Sequence, residues 1–105
     1  MREKDRTTAE QLKRSLSSIV QIVDFKVFGS RARGDSDEYS DLDVFIEVET
    51  IDPALRDAVS DAVWEVGYQN YMVISPLIFT RDELERSPLR VSPIVRSIAE
   101  EGVTV

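Results

Sequence analysis

Two aspartates, Asp41 and Asp43, stand two positions apart in a stretch that alternates polar and apolar residues. On a β-strand that spacing projects both carboxylates from one face. Like charges this close repel unless a cation neutralises them or one takes up a proton. With hard oxygen donors and neither histidine nor cysteine nearby, the cation they suit is Mg²⁺ or Mn²⁺. Just upstream runs Gly29-Ser-Arg-Ala-Arg-Gly34. Gly29 lets the main chain pass close to a ligand, and Ser30 offers a hydroxyl beside its N–H. Consecutive N–H groups in such a turn form a nest for an anion, and Arg31 and Arg33 add forked donors for phosphate. A phosphate cradle beside metal-binding carboxylates is what metal-assisted phosphoryl or nucleotidyl transfer needs. A D-x-D pair alone is more often a solvated strand end, and a Gly-Ser loop alone is often a plain connection. Their order, after a short apolar strand and before an alternating one, carries the reading.

Composition narrows the rest. The chain has 105 residues, 13 basic and 20 acidic side chains, a formal charge of −7, and no His or Cys. These counts exclude a disulfide framework, a thiol nucleophile, a Ser-His-Asp triad and an ordinary zinc site. The acidity argues against an extended nucleic-acid surface or an anionic membrane as partner, but not against one nucleotide held through a metal. The longest mostly apolar run, Val73 to Phe79, is far below the roughly 18 residues of a membrane span. The charged start, Met1 to Arg6, is no secretory signal, so a cytoplasmic location is expected. The length suits a single domain over 1–105, with 1–7 as a frayed, charged lead-in.

The elements that must position the site follow from periodicity and punctuation. Thr8 with Gln11 reads as a capping box, followed by Leu12, Leu16, Ile19, Val20 and Val23 at helical spacing. Phe25 to Phe28 reads as a short strand, and 29–40 as a loop or a loop leading into a helical turn. Asp41 to Glu49 is the clearest strand, with Leu42, Val44, Ile46 and Val48 on one side. Asp52, Pro53 and Gly67 bracket a helix with Leu55, Ala58, Val59, Ala62, Val63 and Val66 inward. Tyr71 to Phe79 forms a third strand, where Pro76 implies an edge or a bulge. Thr80 and Glu83 cap a short helix. Ser92-Pro93 opens the last one, with Ile94, Val95 and Ile98 inward and Gly102 as its stop. The order is α-β-β-α-β-α-α, an α/β (α+β) domain with a small mixed or antiparallel sheet flanked by helices. Only about a dozen residues separate Gly29 from Asp41, too few for a helical crossover, so the first two strands should be antiparallel.

Gly29-Ser-Arg-Ala-Arg-Gly34 followed by Ser40-Asp-Leu-Asp43 resembles the signature of the DNA polymerase β-like nucleotidyltransferase superfamily, and within it the minimal nucleotidyltransferase (MNT) group. The specific part spans about residues 25–48; length and element order agree over nearly the whole chain. The resemblance implies that Gly29, Ser30 and Arg33, with Arg31 and Ser40 of the same motifs, bind a nucleoside triphosphate. It implies that Asp41 and Asp43 hold Mg²⁺ or Mn²⁺ between the triphosphate, ATP in the first instance, and an attacking hydroxyl. Such proteins transfer a nucleoside monophosphate and release pyrophosphate. Many are encoded with an α-helical HEPN partner and serve as its antitoxin. One departure stands out. The family's third carboxylate, on the later strand, is missing: Val73, or Ser75 after a shift of register, stands in its place. Glu47 shares the face of Asp43 but lies four strand residues away, roughly 13 Å. The alternative function is therefore a non-catalytic module of the same fold that neutralises its partner by binding.

Other residues have plainer readings. Trp64 and Val63 point to core or to a self-association surface rather than a ligand site. Tyr39 is as much a loop aromatic as a base-stacking one. Asp35, Asp37 and Glu38 keep the loop soluble and lie close enough to hold the arginines when no nucleotide is bound. Glu100 and Glu101 read as a solvated helix end.

Overall fold

Leu42, Val44, Ile46 and Val48 are all fully buried and form the middle of the core. The strand that carries them, β2 (Leu42–Val48), lies inside a four-stranded sheet in a computed structural model describing residues 1–105. Along the chain the elements are α1 (Glu3–Ser17), β1 (Ile22–Phe28), α2 (Gly29–Arg33), β2, α3 (Pro53–Gln69), β3 (Ile74–Thr80), α4 (Arg81–Arg86), a 3-10 turn (Pro88–Val91), α5 (Pro93–Glu101) and β4 (Val103–Thr104). The sheet order is β3-β2-β1-β4. β1 runs antiparallel to β2, as the short connection requires, and β3 runs parallel to β2 through the α3 crossover. The sheet is therefore mixed, with helices packed on it, as expected. Compared with the expected order, α2, the 3-10 turn and β4 are additional.

Ala9, Leu12 and Leu16 of α1 and Val59, Val63 and Val66 of α3 close one core with Phe25, Val27 and the apolar side of β2. The opposite side of β2 carries Asp43, Phe45 and Glu47. Phe45 is buried there too, against Phe79.

Four local expectations change. Residues 1–7 are not frayed: Glu3 opens α1, and Asp5 is 1 % exposed. Thr8 does not cap a helix but sits inside it, fully buried, donating to Lys4 O at 2.9 Å. Gln11 instead links α1 to the end of α3, donating to Gln69 and accepting from Asn70. Downstream, α1 ends at Ser17, so Val23 belongs to β1 and is exposed. Ile94 is exposed as well, leaving Ile98 as the buried anchor of α5.

Gly67 does not stop α3. It is buried within the helix, and a Cβ there would lie 2.5 Å from Met72 O. The helix ends at Asn70, and Tyr71 reverses the chain at φ 54°. Gly67 is thus the contact through which the returning chain enters β3. Pro76 sits on β3, an edge strand, as its missing N–H demands. Gly67→Ala should destabilise the fold by about 1–2 kcal/mol, overpacking outweighing the gain in helix propensity. Urea denaturation checks this; unchanged stability would mean the turn moves freely away.

Candidate active site

The site assembles where β1 ends and β2 begins. Phe28 pairs with Asp43 across the two strands, so Gly29 leaves the sheet beside the Asp43 carboxylate. Gly29 adopts φ +74°, and a Cβ would lie 2.5 Å from Asp43 Oδ2. Both the backbone angle and the close approach demand glycine. The first-turn N–H groups of α2 have no carbonyl four residues earlier in the helix to satisfy them. Gly34, at φ +83°, ends the turn, and its N–H and that of Asp35 both donate to Ser30 O.

The two arginines of the loop go separate ways. Arg33 is half exposed and rests on Asp35, with Nε 3.2 Å from Oδ2. It remains at the surface beside the aspartates, close enough to oppose the upward push on the Asp43 pKa. Arg31 is 5 % exposed and faces inward. Its Nη1 donates to Asp5 Oδ1 at 2.7 Å, its Nε to Ser40 O at 2.8 Å and its Nη2 to Asp37 O at 3.4 Å. Ser40 is occupied as well: its Oγ accepts from Asp37 N, and its N–H donates to Asp37 O. Asp37 Oδ1 accepts from Tyr39 N in an Asx turn. Arg2 completes the enclosure by donating to Ser36 O at 2.8 Å. Arg31 and Ser40 thus fold the loop that delivers Asp41, and their polar groups are turned into it. Tyr39 is 85 % exposed and touches nothing that would orient it as a base platform.

Asp5 is the residue that sequence reading missed. Nothing in the charged run Met1 to Arg6 marks it, because its partner lies 26 positions away.

Asp41 and Asp43 meet β3 at Ser75. Ser75 stands in register with Asp43, and its Oγ donates to Asp41 Oδ2 at 3.1 Å. Val73 precedes the strand with a largely exposed side chain, and Ser75 is the β3 residue whose side chain bonds to the aspartate pair. No third His, Cys, Asp or Glu joins them as a metal-binding group. Burial, then the charge of Asp41, pushes the Asp43 carboxyl above its ordinary range, partly offset by Arg33. Burial and Asp24 do the same to Glu47, which lies further along the same face.

This architecture is that of the nucleotidyltransferase fold. Residues 9–105 match the family described as the nucleotidyltransferase domain, and the chain belongs to that family. It is similar to a solved structure assigned as a minimal nucleotidyltransferase, with TM-score 0.66 and 21% identity, covering 95% of this chain and 91% of that one. A toxin–antitoxin structure with AMP-PNP is also similar, with TM-score 0.60 and 17% identity over 93% of this chain and 69% of that one. Among curated proteins, none matches the sequence.

Two outcomes follow from the geometry. Asp5→Asn should cost about 3–5 kcal/mol, since it leaves the buried Arg31 without its counter-charge. Hydrogen exchange should show residues 36–41 opening, a change that a local loss in α1 alone would not produce. For Asp43, a folded pKa above the unfolded one means the domain is favoured below the unfolded pKa. That stability is lost as pH rises through the folded value. In EDTA at neutral pH, Asp43→Asn should therefore raise the melting temperature. A lower one would show that the charge is compensated.

Proposed function

We propose that this chain is a divalent-metal-dependent nucleotidyltransferase domain working in the cytoplasm. The observation that carries the reading is the contact of Gly29 with the Asp43 carboxylate. It joins a turn suited to phosphate and a pair of acids suited to a cation at one point. Carboxylate oxygens without sulfur or imidazole fit Mg²⁺ or Mn²⁺, and the unfavourable ionisation of Asp43 beside Asp41 fits a site that gains from a cation. Asp41 and Asp43 would hold the ion, which when bound offsets phosphate charge and draws the two reactants together.

Gly29 and Ser30 present main-chain N–H groups and a hydroxyl to the triphosphate of ATP. Arg33 exchanges Asp35 for a phosphate oxygen. An acceptor hydroxyl attacks the α-phosphorus, the bond to the β-phosphate oxygen breaks, and pyrophosphate leaves. Ser75, neutral, orients Asp41 without adding charge.

That same serine favours a second reading, a module that binds nucleotide and neutralises a partner with little turnover. The similarity to a toxin–antitoxin structure supports an antitoxin role in either case, with a HEPN-type protein as the proposed partner.

Calorimetry with Mg-ATP should show one site. Arg33→Ala should weaken it by about 1.5–3 kcal/mol, a factor of roughly 10 to 150, through lost charge-assisted bonds. Asp43→Asn should abolish transfer of label from α-labelled ATP to any acceptor. Ser75→Asp should tighten Mn²⁺ binding and raise transfer; unchanged Mn²⁺ affinity would remove Ser75 from the third place. Nucleotide binding without transfer, with or without the candidate partner, selects the second reading.

A further inference from the structure

A cavity of about 660 Å³ lies behind the free edge of the sheet, and neither aspartate lines it. Trp64 and Tyr68 of α3 form one wall, and Tyr71, Val73 and Pro76 form the other. Trp64 is 69 %, Tyr68 71 %, Tyr71 93 % and Val73 66 % exposed. Core packing does not explain them. The rings of Trp64 and Tyr68 stack at 5.4 Å and 8°, giving α3 a flat aromatic flank. A contiguous apolar surface of this kind, walled by tryptophan and tyrosine, has the make-up of an interface core.

What covers it is constrained from two sides. The first is the strand edge. Leu42 N donates to Val73 O, so in the parallel ladder Ser75 and Leu77 turn their main chain toward β2. Ile74, Pro76 and Ile78 then turn outward, and Pro76 removes the central donor of that row. An added strand would meet a gap where it most needs a bond. The second constraint is charge. Asp57, Asp61 and Glu65 are exposed at successive turns of α3, alongside the aromatic flank, with Arg56 the single base on that helix. The chain as a whole carries −7. A second copy seated here would bring two acidic rows together.

We propose that this trough docks a protein partner through a basic amphipathic helix. Its apolar stripe lies against Trp64, Tyr68 and Val73, and its Lys and Arg residues pair with Asp57, Asp61 and Glu65. Asp41 and Asp43 do not line the trough, so the inference does not depend on the transfer chemistry.

Trp64 is the sole tryptophan, so its emission reports the trough directly. The probes are synthetic helical peptides: one with a leucine stripe and lysine flanks, one with the same stripe and glutamate flanks, and a scrambled lysine peptide lacking the stripe. The first should shift Trp64 emission to the blue saturably. Affinity should fall about tenfold in the triple variant Asp57→Asn, Asp61→Asn, Glu65→Gln, and likewise with added salt. Tyr68→Ser, at an exposed position, should weaken binding with the circular dichroism unchanged. No shift, or an equal response to the glutamate or scrambled peptide, overturns the proposal. A blue shift that grows with protein concentration alone, with a dimer in sedimentation, assigns the trough to a second copy instead. Failure of Mg-ATP binding with peptide binding intact would count against the transfer reading only.

Discussion

The geometry of the site hangs on one buried ion pair. Asp5, in the first turns of α1, is 1 % exposed and meets Arg31, which is 5 % exposed, at 2.7 Å. Taking both charges out of water is expensive, and the cost is recovered only because Arg31 also donates to two carbonyls of the loop. The pair converts a polar segment with little apolar content of its own into a fixed path from α2 to β2. Asp5 Oδ2 has no protein partner, so the pairing is anchored through a single carboxylate oxygen. What this arrangement supplies is position: it sets where Asp41 enters the sheet and which way Gly29 faces.

Within that frame the motif divides its labour by burial. Gly29, Arg33 and the two aspartates stay at or near the surface, while Arg31 and Ser40 are turned into the loop. Two arginines separated by one residue thus have opposite roles, because a five-residue helix points them in different directions. Arg33 finds only Asp35, a neighbour in an exposed pairing that contributes little and exchanges readily.

Much of this was legible in the sequence, and the failures have physical causes. The β2 strand was read from strict alternation, because one of its faces is fully buried. The Asp52 cap with Pro53, and the Thr80–Glu83 box, were read because capping is local chemistry and both bonds form. Thr8 and Gln11 mimic the same box, yet their polar groups are taken by Lys4 O and by the end of α3. Gly67 resembles a helix stop but answers a tertiary need, the passage of Met72. Asp5 was beyond local reading altogether, and Ser75 was reached only through the resemblance, as the alternative to Val73. Each owes its place to a partner more than 25 residues away, and spacing along the chain holds no trace of it.

The far edge of the sheet is guarded much more thinly than the rest. β4 is two residues long, and it pairs with β1 at Lys26 and Val27 across most of the length of the chain. Val105 N adds a bond to Phe25 O, and Lys13 reaches over to Val105 O. Closing so long a loop for so few bonds leaves β4 with little to hold it beyond these contacts. Beneath it the outward main chain of β1, unlike that of β3, has no proline to interrupt it. The two edges of the sheet are thus closed by different means, a proline in the strand itself at β3 and a two-residue cover at β1.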